Sequence, residues 1–139
     1  MGDRPDVSMN DQIIAEFRAN GGKVGGEFEN ANLLLLHTTG ARSGKQHVNP
    51  VMYFCLDAKL LVVGSYAGAD VDPAWVYNLR AHPHAHIEIG TDAYDVDARE
   101  LPGTERDAAF VQIAKAASGF ADYQSKTDRV IPVFDLTKA

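Results

Sequence analysis

Residues 33–50, LLLLHTTGARSGKQHVNP, decide the fold. The stretch opens as a continuous apolar run, Leu33 to Leu36, and turns through Thr38, Thr39 and Gly40. It then offers Arg42, Ser43, Gly44 and Lys45, and leaves as an alternating segment through His47, Val48 and Asn49. A buried strand, a polar basic turn and a second strand make a hairpin. The turn has the means to hold an anion. Gly40 and Gly44 permit φ > 0, which lets successive backbone N–H groups converge on one point. Arg42 supplies a planar fork that matches phosphate oxygens, Lys45 a mobile point charge, and Ser43 a hydroxyl donor. The same residues also suit an ordinary hairpin loop, and the residues alone leave both readings open.

A chain of 139 residues makes one domain, residues 1–139, with room for a real core. Its composition, 45% hydrophobic and 23% charged, is ordinary for a soluble globular protein. The net charge of -6 argues against a nucleic-acid partner and makes the basic turn stand out. The single cysteine, Cys55, excludes an internal disulfide, and in an apolar strand it reads as a buried, inert thiol. No apolar run approaches the roughly 18 residues that span a membrane. The polar, acidic N-terminus is not a signal peptide, so a cytoplasmic protein is expected.

Upstream of the hairpin, Met1 to Val7 reads as a loose arm. Ser8 to Phe17 reads as a short helix capped by Ser8 or Asn10, with Ile13, Ile14 and Phe17 at helical spacing. Asn20-Gly21-Gly22 stops it, and Gly21 to Gly26 is a plain or closely packed link, or a swinging lid.

Downstream, the first strand runs from about Asn32 to Thr38 and the second from Gln46 to Leu56. Pro50 cannot donate to a ladder, so a bulge or a free edge is expected there. Asp57-Ala58-Lys59 turns into a third strand, Leu60 to Tyr66, completing an antiparallel meander. Asp72 before Pro73 signals a helix capped by the aspartate, with proline at its first position, ending near Ala81. Its N-terminus could face an anion through free N–H groups. Trp75 and Asn78 lie on one face of it, which suits a core tryptophan with a solvated asparagine. His84 and His86 share one face of the next strand, with Glu88 beyond them. The set is incomplete for a metal, and a surface strand is expected.

Strands Ala85 to Ile89 and Ala93 to Arg99 pair through Gly90-Thr91-Asp92. A helix capped by Thr104 follows, to Ala117, with Ala109, Phe110, Ile113, Ala114 and Ala117 as its apolar stripe. Phe120 to Lys126 is a short aromatic helix or turn, and Ile131 to Leu136 a last strand. The fold class is α+β: about six mainly antiparallel strands closed into a barrel, with peripheral helices.

Three blocks, LLLLHTTGARSGKQHVNPVMYF, LLVVGSYAGADVDPAWVYNLRAHPHAHIEIG and DYQSKTDRVIPVFDL, carry a resemblance that covers nearly the whole chain from Gly21 onward. Together and in this order they resemble the deazaflavin (F420)-dependent nitroreductase family, also called F420H2-dependent quinone reductases. The resemblance implies an FMN-binding-like split β-barrel and reduced coenzyme F420 as cofactor. It implies that the turn binds the phosphate and glutamate tail. Arg42, Ser43 and Gly44 match directly, and Lys45 takes over from a basic residue that many members carry where Ala41 stands. His47, Asn49, Pro50, Val51 and Met52 look like the strand beside the cofactor. Val63, Gly64, Ser65 and Tyr66 look like the strand end lining the ring, and Pro73, Ala74, Trp75 and Asn78 like the helix that covers it. Tyr123 is similar to a substrate-pocket tyrosine.

The implied reaction is hydride transfer to a quinone, an activated enone or a nitro-type acceptor, with the cofactor carrying the chemistry. Ser65 and Tyr123 are the catalytic candidates, as hydrogen-bond donors to the acceptor carbonyl or its developing oxyanion. His47 stands where a relative has arginine, Phe120 where one has a tyrosine hydroxyl, and Met52 where a polar aromatic is found. These departures bear on the acceptor more than on the cofactor. The partner is a small-molecule acceptor, and a homodimer is compatible because dimers are common on this fold. Two other classes stay open: an FMN-dependent oxidoreductase on the same barrel, and a non-catalytic F420-binding carrier.

Overall fold

Four successive leucines cannot all point one way from a strand, and both faces of β1 (Leu33–Thr39) are covered. Leu34 and Leu36 enter the interior of a barrel with Val51, Val62, Ile87, Val96 and Phe134. Leu33 and Leu35 point outward and are covered by Ile13 and Phe17 of α1 (Val7–Ala19). The computed structural model describes residues 7–24, 32–56, 58–65, 68–69 and 71–139, with side chains from 11 onward. The expected arm, the capping side chains of Ser8 and Asn10, Gly25 and Gly26 of the link, and Tyr66 lie outside the described residues.

The remaining elements are β2 (Gln46–Leu56), β3 (Lys59–Val63), α2 (Ala74–Ala81), β4 (His84–Ile89), β5 (Asp92–Glu100), α3 (Gly103–Ala116), α4 (Gly119–Ser125) and β6 (Val133–Lys138). The strands close in the order β1-β2-β3-β6-β5-β4, every pair antiparallel. No bulge occurs at Pro50: the β1–β2 register runs unbroken from Leu33 opposite Met52 to Thr39 opposite Gln46. Strand β3 pairs only with Tyr53 to Leu56, so Pro50 has β1 on one side and a free edge on the other. That is where its missing N–H costs least.

Outside the barrel, α3 and α4 cover β3 and β6 through Leu61, Val63, Phe110, Ile113, Phe120 and Val133. Helix α2 covers one end, inserting Trp75, Val76 and Leu79 into the interior, with Trp75 edge-on to Phe134 at 5.9 Å. Cys55, expected to be buried, is exposed: it follows Tyr53 along β2 but lies at the strand's last pair of residues, past the packed interior. No helix among the described residues is long and apolar enough to cross a membrane.

Helix α1 is held by more than its apolar face. Gly22, at φ +97°, lies so close to Gly90 that a Cβ would stand 2.6 Å from the Gly90 Cα, so the first glycines of the link are closely packed. Arg18 Nε and Nη2 donate to the two Glu88 oxygens at 3.2 and 2.8 Å, and His37 Nε2 lies 2.6 Å from Glu88 Oε2. The histidine face of β4 is therefore a ladder of pairs, with His84 on Asp97 and His86 on Asp95 across the strand. Among the described residues no group of three or more His, Cys, Asp or Glu is arranged to hold a metal.

The Arg18 guanidinium, with His37 behind it, pulls the Glu88 carboxyl down from 4.5 to about 2. A depressed carboxyl contributes stability above its unfolded value and loses it as pH falls toward its folded one. Glu88→Gln is therefore expected to destabilise the protein at neutral pH, with the gap to wild type closing as pH falls from 4.5 to about 2. Chemical denaturation across that range checks this; a gap that does not change with pH contradicts it.

Candidate functional site

The hairpin turn between β1 and β2 is built differently from a cradle of converging N–H groups. Gly44 does lie at φ +70°, but Gly40 does not have positive φ. Gly40 is crowded by side chains: a Cβ there would stand 2.5 Å from Ser43 Oγ and 3.1 Å from His47 Nε2, and those exposed side chains would have to shift. Most of the backbone donors are occupied within the fold. The Gly40 N–H donates to Lys45 O at 2.7 Å, Gly44 N–H to Gly40 O at 3.0 Å, and Lys45 N–H to Ser43 Oγ at 3.2 Å. The Ala41 N–H donates to Asn78 Oδ1 at 3.0 Å. Among the described residues, the N–H groups of Arg42 and Ser43 are the turn's donors without a hydrogen-bond partner.

Asn78 is buried rather than solvated, and both halves of its amide are engaged. Besides accepting from Ala41, its Nδ2 donates to the buried Thr38 Oγ1 at 3.0 Å. Helix α2 is thereby tied to the turn and fixes its attitude. Trp75, one turn earlier, packs in the barrel interior.

The side chains of the turn stand in solvent and meet no carboxylate. Arg18, Arg80, Arg99, Arg106 and Arg129 each hold a carboxylate within 4 Å, whereas Arg42 holds none among the described residues. In a chain of net charge -6, an arginine with no carboxylate among the described residues is available to donate to an anion.

A second group forms where β3 ends. Gly64 is wedged between Val76 Cγ2 and Pro132 Cγ, 2.7 and 2.9 Å from where a Cβ would be, so packing requires glycine there. Ser65 is buried, and its hydroxyl makes no hydrogen bond among the described residues. The Tyr123 hydroxyl is likewise without a partner, while its ring stands edge-on to Phe120 at 5.6 Å. The two segments meet at Gly68, where a Cβ would lie 3.0 Å from Tyr123 O.

Asp72 does not cap α2: the N-cap is Pro73, with no side-chain cap bond. Its carboxylate instead accepts from Arg129 Nη1 at 2.6 Å and from Arg80 Nη1 at 3.1 Å. Thr104 does not cap α3 either, whose N-cap is Pro102. Helix α2 links the two groups of site residues. It starts beside the Ser65 loop, and Asn78 reaches the turn after a rise of about 6 Å from Ala74.

The β2 candidates do not share a face. Val51 is in the interior with Leu34 and Trp75, whereas Met52 packs on the outside against both the α1 and the α3–α4 clusters. One ligand lying along β2 can touch the side chains of one set only. Asn49 and Pro50 are half-buried, His47 and Ala74 exposed, Val63 and Pro73 buried.

A groove of about 530 Å³ lies at the other end of β2, between the β2–β3 hairpin and α3, lined by Leu56, Lys59, Leu61, Arg99, Leu101 and Glu105 among others. Its Arg99 is already paired with Glu105 at 2.8 Å, and it holds none of the candidate side chains.

Two residues escaped sequence reasoning. Arg129 reaches back from the segment before β6 to bond the loop that carries Ser65. Gln124 joins α4 to Arg106 of α3 and to the backbone of Arg129. DYQSKTDR drew attention through Tyr123 alone, and nothing local marks a loop arginine between Asp128 and Val130 as turned inward.

Comparison with known proteins bears on the family and the fold. A curated F420H(2)-dependent quinone reductase of Mycobacterium tuberculosis is 34% identical over 128 residues, 89% of this chain and 86% of that one. Among solved structures, an F420-H2 dependent reductase (FDR-A) superposes with a TM-score of 0.67 at 38% identity, over 76% of this chain and 93% of that one. A second, described as a domain-swapped dimer, gives 0.69 at 34% identity over 91% and 92%. The F420H(2)-dependent quinone reductase family matches residues 10–138, and the chain, with its closed six-strand barrel, belongs to that family.

Proposed function

We propose that this protein binds reduced F420 with its anionic tail on the Gly40–Lys45 turn and passes a hydride from it to a quinone. The observation that carries this reading is Arg42, without a carboxylate in a chain whose other described arginines all have one. The donor set suits such a tail: a guanidinium, an ammonium, the Ser43 hydroxyl and the two unpartnered N–H groups of Arg42 and Ser43. The bound cofactor supplies the hydride.

The chain's own residues bind, orient and polarise. Arg42 and Lys45 hold the tail and do no chemistry. Val63, Gly64 and Ser65, with Pro73 and Ala74 at the start of α2, border the ring, and Asn78 acts at one remove by holding the turn. Ser65 and Tyr123, each with a hydroxyl that bonds nothing among the described residues, donate to the acceptor oxygen as negative charge develops there. Activated enones and nitro compounds present a comparable electron-poor centre and are slower alternatives in this reading. A relative described as a domain-swapped dimer supports a homodimer.

Arg42→Ala is expected to weaken F420 binding about 10- to 100-fold, the worth of one charge-assisted hydrogen bond. Arg42→Lys should recover only part, because an ammonium cannot make the bidentate contact. Turnover at saturating cofactor should stay near wild type, because the tail contact is the same before and after hydride transfer. Fluorescence titration with F420 and steady-state kinetics with a quinone read both quantities. Normal F420 affinity in Arg42→Ala contradicts the placement of the tail.

Tyr123→Phe should lower kcat/KM for the quinone by up to about 100-fold, the lower end of the scale of a lost oxyanion donor, while leaving the F420 Kd unchanged. If kcat/KM stays at the wild-type value, Tyr123 has no part in polarising the acceptor.

A further inference from the structure

We propose that Arg129 is a positioning residue of the reductase site: its guanidinium fixes the loop between β3 and α2 so that Ser65 is held in register with Tyr123. This rests on the reading of Ser65 and Tyr123 given above. The loop's described residues, 64–65, 68–69 and 71–73, lie outside the strands and α-helices that would satisfy their carbonyls. Arg129 supplies what a strand partner would. Its Nε donates to Ala69 O at 2.8 Å, its Nη2 to Ser65 O at 2.7 Å, and its Nη1 to Gly64 O at 3.2 Å and to Asp72 Oδ1 at 2.6 Å. The side chain is only 14% exposed, so the Gly64 and Ala69 carbonyls would otherwise lack a partner away from water, while Ser65 O, which also accepts from the Gly68 N–H at 3.0 Å, would lose one of two.

Both ends of this clamp are anchored. On the arginine's side, Gln124 Nε2 donates to Arg129 O at 2.7 Å. Gln124 Oε1 in turn accepts from Arg106 Nη2 at 2.6 Å and from the Ile131 N–H at 3.0 Å. On the loop's side, the second oxygen of Asp72 accepts from Arg80, whose Nε and Nη2 make a two-point pair with Glu100 at 2.9 and 2.7 Å. Gln124 is the residue after Tyr123. One network therefore holds the backbone beside Tyr123 and the carbonyl of Ser65 in fixed relation. Three carbonyls and a carboxylate spread around one planar group match the guanidinium fork, and a lysine can satisfy only part of such a set.

Arg129 touches the loop backbone, so its removal should act on acceptor handling more than on the tail turn. Arg129→Lys is expected to lower kcat/KM for a quinone about 10- to 100-fold, as misplacement of a donor does, while F420 Kd changes by less than about threefold. Hydrogen exchange of the ligand-free protein should speed up in 64–72 and not in 40–45. Asp72→Asn, which keeps the arginine but removes its carboxylate anchor, should speed exchange in the same segment and lower kcat/KM by a smaller factor.

Hydrogen exchange needs neither cofactor nor turnover, so it tests the clamp even in a protein that fails to reduce quinones. A wild type that binds no F420 would overturn the proposed function and leave the clamp to be judged by exchange alone. Wild-type exchange in 64–72 and unchanged kcat/KM in Arg129→Lys overturn the clamp. If that variant does not fold, the same result in Asp72→Asn does so. An equal loss of F420 affinity and kcat/KM also overturns it, because that marks general loosening rather than positioning.

Discussion

The amide of Asn78 ties α2 to the hairpin turn and so relates the two groups of candidate residues. Its oxygen accepts from the Ala41 N–H and its nitrogen donates to Thr38, so both halves of a buried amide are engaged and the basic turn is pinned to α2. Leaving either partner unmet would cost about 1–3 kcal/mol, which makes the attachment specific as well as stable. The same helix inserts Trp75, Val76 and Leu79 into the barrel's interior. Packing the core thus sets the orientation of α2, and that orientation sets where Arg42 and Lys45 are presented. Its other end follows the Ser65 loop directly, so one short helix spaces the turn from the hydroxyls of the second group.

Charge is distributed to the same effect. A chain of net charge -6 has enough carboxylates to engage its cations, and the described arginines other than Arg42 are engaged. Several of these pairs knit distant segments: Arg18 holds α1 to β4, and Arg129 and Arg80 share Asp72 across the loop before α2. Against this background the turn is a local positive site in a negative field. Such a site draws multiply charged anions and weakens as salt is added.

The parts of this structure governed by short-range rules could be read from sequence. Strand β2 spans Gln46–Leu56 as its alternation indicates, and the Leu33–Leu36 run is buried on both faces as a continuous apolar stretch requires. Pro50 sits at a free edge because it has no N–H. What failed depended on partners far along the chain. Asp72 has the form of a helix cap, yet two arginines, 8 and 57 residues away, take its carboxylate. Gly40 looks like a left-handed glycine but does not have positive φ, and the side chains of Ser43 and His47 crowd it. Cys55 carries an apolar context but falls at a strand end. The candidate site was drawn as a set of residues from the family resemblance. That Asn78 serves the turn rather than solvent, and that Arg129 belongs with Ser65, depended on hydrogen bonds between segments 37 and 64 residues apart.

In the proposed function, the cations of the turn, which meet no carboxylate among the described residues, select an F420-type tail. Parallel fluorescence titrations of the apo protein with F420 and with FMN, at low and raised salt, test it most directly. The account predicts saturable F420 binding that weakens as salt rises, and FMN binding at least about tenfold weaker, because FMN lacks the added carboxylates that further contacts at the turn would hold. Tight FMN binding with no detectable F420 binding, or F420 affinity indifferent to salt, would contradict it.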